Sequence, residues 1–209
     1  MSTLIPASLR PLRAALLALA CALLPAASPA DEAAPAFQEG REYTVLKTPV
    51  PTSTAGEPGK VEVVELFWFG CPHCYRLEPA IREWLKSDGR PAEAAFVRMP
   101  AALAPNWELG ARAYYAAQAL NVEDQLHQPL FDAIHKDRKI ALTTDETALV
   151  EFVSGLGIDA EAFRKALRSF EVETKLRKSK QQIVQYRVTG VPAVVVAGKY
   201  VTEDRKSVV

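Results

Sequence analysis

Cysteine is scarce in this chain, three in 209 residues. Exported domains held together by disulfides carry several cysteine pairs, so a disulfide scaffold is excluded. An excess of one charge is missing too: 25 Lys and Arg stand against 25 Asp and Glu. That argues against nucleic acid as a partner, which needs a basic footprint. The apolar run Ala14 to Leu24, eleven residues long, is too short for a membrane span. With 24% charged and 49% hydrophobic residues, the rest has an ordinary globular balance.

That short apolar run belongs to an expected secretory signal peptide over residues 1–30. Arg10 and Arg13 precede it, and Ser28-Pro29-Ala30 offers small residues for cleavage before Asp31. Removing this segment leaves 23 basic against 25 acidic residues, a net charge of −2. Cys21 lies inside the run. Leu19-Ala20-Cys21 loosely resembles a lipoprotein anchor site, but the apolar stretch continues to Leu24, so a filler that is cleaved away is the favoured reading. The mature chain then holds only Cys71 and Cys74 and is expected in the periplasm. A bridge across C-x-x-C closes too small a loop to brace a domain, which points to chemistry instead.

Cys71-Pro72-His73-Cys74 follows the β-branched and aromatic run Val61 to Phe69, which reads as a buried strand. Behind it, Leu77, Ile81, Trp84 and Leu85 recur at helical spacing over Tyr75 to Lys86. The thiols therefore fall at a helix start, where unpaired N–H groups and the helix dipole favour a thiolate. Pro72 suits the first helical turn. Cys71, first in the motif and the more exposed, is the expected nucleophile; Cys74, one turn in, is the expected resolving thiol. A partly protonated His73 would stabilise the Cys71 thiolate further. Favouring the reduced thiolate makes the bridged form a stronger oxidant.

Further along, Ala94 to Met99 reads as a second strand. Helices are expected around Trp107 to Leu120, Leu126 to Ile134, Thr144 to Ser154 with Thr144 as N-cap, and from Asp159 past Leu167. A long helix spans Glu171 to Tyr186, and a hairpin turns at Ala197-Gly198 between Val191–Ala197 and Lys199–Thr202. The order fits an α/β, thioredoxin-like domain over 31–102 and 171–209, interrupted by an α-helical insertion over 103–170.

Other residues bear on the site. Pro192, after Val191, opens a strand as a plain trans proline or a cis one; beside a C-x-x-C the cis form is expected. Glu65 stands in mid-strand, on the face opposite Leu66. It is either an exposed strand residue or a buried carboxylate beneath the disulfide that relays protons. Glu78 has a similar possible role but reads as solvated. Phe67, Trp68, Phe69 and Tyr75 read mostly as core, some as candidates to line a groove for unfolded chains. A zinc site needs about four ligands. Beyond the motif only His127 and His135 remain, eight residues apart on an insertion helix and read as solvated, so no metal is expected.

Glu65 to Tyr75, with Val188-Thr189-Gly190-Val191-Pro192-Ala193 and Gly198-Lys199-Tyr200, resembles the DsbA family of bacterial periplasmic thiol oxidases over about residues 37 to 202. The resemblance implies a thioredoxin fold with a helical insertion. It also implies oxidation of unfolded exported proteins through a mixed disulfide on Cys71, with no cofactor beyond the redox-active disulfide. Reoxidation would come from a DsbB-like membrane oxidase. The same match makes Cys74 the resolving thiol, Val191-Pro192 the substrate-binding cis-Pro loop, and Glu65 and Glu78 the nearby carboxylates. The family continues after Tyr200 through another helix. This sequence ends at Val209, too short and polar for it, so that helix is expected to be missing and one sheet face partly uncovered. Two other functions stay open: a disulfide isomerase or reductase, separated by the redox state of Cys71 in cells, and a non-enzymatic peptide-binding module, which predicts that Cys71→Ser keeps full activity. A metal carrier is a third option, tested by metal content.

Overall fold

Residues 37–203 are described by the computed structural model of the chain. The expected signal peptide, Cys21 and the tail from Asp204 on, where a helix is expected to be missing, lie outside the described residues.

Strand β2 (Val61–Phe67) pairs in parallel with β3 (Ala94–Pro100), and helix α1 (Pro72–Lys86) makes the crossover between them. β4 (Ala193–Val196) and β5 (Tyr200–Glu203) form the expected hairpin, and β1 (Thr44–Val45) closes the edge, giving the order β1-β5-β4-β2-β3. Both turn residues, Ala197 and Gly198, have positive φ, which suits the twist of a two-residue hairpin. A Cβ on Gly198 would also run into the carbonyl of Val50.

Period-two alternation splits β2 between two faces. Val64 and Leu66 join Met99, Ile183, Tyr186 and Val195 in a core beneath helix α6 (Phe170–Tyr186). Phe67 belongs to a larger core shared with the four helices between β3 and α6. These are α2 (Glu108–Ala119), α3 (Glu123–His135), α4 (Glu146–Gly155) and α5 (Ala160–Leu167). No helix among the described residues is long and apolar enough to cross a membrane.

Several boundaries differ from expectation; β4 starts at Ala193, so Pro192 lies in the loop before the strand rather than opening it, and three others have a visible local cause. β2 stops at Phe67, not Phe69, because the chain turns there: the Cys71 N–H bonds the Trp68 carbonyl at 2.9 Å. The turn is tight, and a side chain on Gly70 would collide with the Trp68 ring. α1 begins at Pro72 rather than Tyr75, since Cys71 itself is the N-cap. α4 is capped by Asp145, not Thr144: the Asp145 carboxylate accepts from the N–H groups of Thr147 and Ala148, while Thr144 finishes the preceding 3₁₀ turn. Asp159 caps α5 as expected.

Candidate active site

Both cysteines are free thiols at the start of α1. Cys71, in extended backbone conformation, accepts the Cys74 N–H on its Sγ at 3.4 Å, and Pro72 takes the first helical position. From the far end of the sequence, the chain before β4 brings the Val191 carbonyl to 3.4 Å from the Cys71 Sγ, where it accepts the thiol proton. The Val191–Pro192 peptide bond is cis, as expected. Cys71 is less exposed than expected, at 7%, because this loop covers it, and Cys74 is fully buried.

The two thiols differ in acidity. Cys71 is lowered to about 6, chiefly because the Cys74 thiol donates to it; burial opposes this, while the N–H groups of Cys74 and His73 and the charge of His73 add to the lowering. Cys74 is raised by donating that bond, by burial and by the negative charges of Cys71 and Glu65. One reactive thiolate therefore stands beside one protonated thiol. His73 takes a 2.8 Å contact on Nδ1 from Arg76. Both side chains line a groove of about 430 Å³ with Leu77, Pro192 and Thr202.

Behind the thiols lies a buried polar cluster. Glu65 is fully buried, so its exposed-strand reading is wrong. It sits opposite Arg98 in the β2–β3 register, and the Arg98 guanidinium donates to its Oε2 at 3.2 Å. The same guanidinium donates to Glu78 Oε2 at 3.3 Å. His127 Nε2 donates to Glu78 Oε1 at 2.8 Å. Burial, with the Glu78 charge, pushes Glu65 up to about 8, against the pull of Arg98. Burial acts on Glu78 as well, but the bond and charge of His127 and the charges of Arg98 and Arg82 bring it below the usual carboxylate range. Glu65 Oε1 is buried and bonds no described residue.

Three residues read as solvated are therefore not. Glu78 is buried because α1 packs it against Arg98 and α3. His127 is buried among Phe67, Phe69 and Phe131. His135 is half-buried, stacked on Tyr75 and donating to the Phe69 carbonyl at 2.7 Å. The eight-residue spacing of the histidines, with Phe131 midway, places all three on one helix face, and that face meets the redox loop. Arg98 was not singled out in the sequence, although a charge midway along an apolar strand beside Glu65 was the available signal. Of the aromatic cluster, Phe67 and Phe69 are core, whereas Trp68 and Tyr75 are half-buried, Trp68 stacked on Trp107 with ring centroids 4.3 Å apart. Among the described residues no group of three or more His, Cys, Asp or Glu is placed to hold a metal ion.

A family model, the DSBA-like thioredoxin domain, matches residues 93–207. The thiol:disulfide interchange protein DsbA of Azotobacter vinelandii is 44% identical, over 83% of this chain and 75% of its own length. Its namesake from Pseudomonas aeruginosa is 42% identical, over 89% and 82%. The crystal structure of P. aeruginosa DsbA superposes with a TM-score of 0.72 at 40% identity, covering 80% of this chain and 83% of that one. A Proteus mirabilis DsbA with a non-covalently bound peptide superposes at 0.64 and 30% identity, covering 80% and 86%. With this sequence likeness spanning most of its length, and a Cys-Pro-His-Cys centre set against a cis-Pro loop, the chain belongs to the family of DsbA-like thioredoxin-domain proteins.

Proposed function

We propose that the chain is a dithiol oxidase that donates its Cys71–Cys74 disulfide to newly exported proteins. The observation that carries this is the acidic Cys71 thiol, lowered to about 6, held against the Val191 carbonyl at the head of a groove. A substrate thiolate attacks the Cys71 Sγ of the bridged form. The S–S bond breaks, its electron pair leaves on Cys74, and a mixed disulfide joins substrate to Cys71. A second substrate thiolate then attacks the substrate sulfur and expels Cys71 as a thiolate. The substrate loses two electrons and two protons; the enzyme keeps the electrons and takes up one proton, on Cys74, and the other proton goes to solvent.

Pro72 fixes the helix start, His73 supports the thiolate, and Val191 and Pro192 present backbone to the substrate strand. A peptide bound non-covalently to the Proteus mirabilis relative supports peptide binding by this chain. Glu65, protonated at neutral pH and close enough to Cys74 to act on its charge, supplies the proton that the leaving Cys74 needs, with Glu78 behind it. The working place is the periplasm after removal of residues 1–30, and a DsbB-like membrane oxidase restores the disulfide. Residues 103–170 act as a helical insertion that walls the redox loop. No metal or organic cofactor enters these steps.

An equilibrium redox titration of the mature chain against glutathione tests the reading. A potential well above that of thioredoxin, about −270 mV, is expected. A value as low as thioredoxin's rejects the oxidase and leaves a reductase.

A further inference from the structure

We propose that His127, on α3, is a positioning residue of the redox reaction: it orients Glu78 and returns, through it, the proton that Glu65 gives to Cys74. The inference rests on the relay reading of Glu65 and extends it into the helices between β3 and α6.

Arg98 holds both carboxylates on one guanidinium, and since arginine keeps its protons, it is a fixed clamp rather than a carrier. Glu65, at the inner end, is fully buried and near enough to Cys74 for its charge to act there. A proton lost there must come back from outside, and the outer end of the cluster is Glu78 with His127. Both line a cleft of about 200 Å³ between α1 and α3. With Nε2–H given to Glu78, the imidazole keeps Nδ1 as a lone pair, buried and bonded to no described residue. It is the place in the cluster where one more proton fits. The charged groups around the histidine are Glu78, Arg82 and Lys86 from α1, Arg98 from β3 and Asp124 from α3, with the Tyr114 ring of α2 packed against it.

The step balances. Glu65 passes H⁺ to the Cys74 thiolate and becomes a carboxylate; His127 and Glu78 pass H⁺ inward to Glu65; water in the cleft supplies H⁺ to His127. No electron moves outside the two sulfurs and the substrate.

The test compares the full chain with His127→Gln, His127→Ala and Glu65→Gln, following oxidation of a dithiol peptide by stopped flow across pH. Gln keeps a donor to Glu78 but carries no proton at neutral pH. His127→Gln is expected to slow the reaction on the order of tenfold, less than the roughly 10²–10⁴-fold of a direct general acid or base, because His127 acts through Glu78 and Glu65. The ultraviolet thiolate titration of Cys71 should stay in place, and added imidazole should restore the rate of His127→Ala. An unaltered rate in His127→Gln beside a slow Glu65→Gln overturns the role of His127 and leaves the relay standing; an unaltered Glu65→Gln overturns the relay itself. A slow His127→Ala that imidazole does not restore assigns His127 a purely structural part and also overturns the inference. Should the variants fail to fold, ¹⁵N shifts of the His127 ring in the unmutated chain decide: the proton should sit on Nε2 and the lone pair on Nδ1, and the reverse tautomer refutes the proposal.

Discussion

The Cys71 sulfur and the Val191 carbonyl, 120 positions apart in sequence, meet at 3.4 Å. Cys71 keeps a small exposure, 7%, beside the groove lined by His73 and Pro192, whereas Cys74 is fully buried. A substrate sulfur can reach Cys71 but not Cys74. Cys74→Ser is therefore expected to accumulate a mixed disulfide on Cys71 when given glutathione disulfide, one glutathione leaving as thiolate, seen as an added mass that reductant removes. Cys71→Ser should trap nothing and oxidise nothing. Adducts on Cys74 in the Cys71→Ser chain would reverse the assignment.

Acidity at Cys71 makes the reduced protein's stability depend on pH. The folded thiol ionises near 6 and the unfolded one near 9, so the folded chain binds this proton less tightly. The resulting stabilisation is complete above pH 9 and is lost as pH falls through 6. The bridged form has no such titration. The stability of the reduced form relative to the oxidised form should thus grow from pH 6 to 9, measured by urea unfolding of both forms. A difference that stays flat over that window contradicts the thiolate.

Glu65 works in the opposite direction. Its folded value, about 8, lies above the ordinary 4.5, so stability is fully present below pH 4.5 and is lost as pH rises through 8. Glu65→Gln keeps an oxygen for Arg98 and removes the buried charge. The variant should match the parent near pH 4.5 and exceed it by roughly 2–4 kcal/mol above pH 8, compared in the same redox state. Lower stability than the parent at pH 8 would mean that Arg98 needs the full negative charge.

What the sequence disclosed and what it hid divide along a physical line. The placement of Cys71, Pro72 and Cys74 was legible because it follows from a local event, a strand handing over to a helix. The Ala197-Gly198 turn and the Asp159 cap were legible for the same reason. Glu78 and His127 were misread because an ionisable side chain on a helix reads as solvated by default, and burial is decided by what the helix packs against. The Glu65–Arg98 pair needed the register of two parallel strands, which no local pattern supplies. Thr144 and Asp145 are adjacent candidates for one cap; where the 3₁₀ turn before them ends decides between them.

Gly198 holds the hairpin that carries Pro192 into place. Its φ is +62°, and a methyl group there would press on the Val50 carbonyl. Gly198→Ala should cost about 2–3 kcal/mol, from the left-handed backbone and the overpacking together. The cost is read as a lowered urea midpoint. Since the strain lies at the far end of β4, the thiolate titration of Cys71 should not move.

The source of the Cys71 acidity can be ranked by mutation. Sequence reasoning put His73 forward, since an imidazole lies between the sulfurs. In the folded chain the largest lowering influence is instead the Cys74 thiol donating to the Cys71 sulfur, with the Cys74 and His73 N–H groups next and the His73 charge last. The order is physically reasonable: a thiol one helical turn away points its proton at the thiolate, and the N–H groups are fixed by the helix, whereas an exposed imidazole edge is screened by water. Cys74→Ala removes the first donor and keeps the helix. His73→Ser removes the charge and keeps the N–H. Both should raise the Cys71 midpoint followed by thiolate absorbance, Cys74→Ala by more. A larger rise in His73→Ser would restore the histidine as the principal cause, and with it the view that the two residues between the cysteines set the oxidising power.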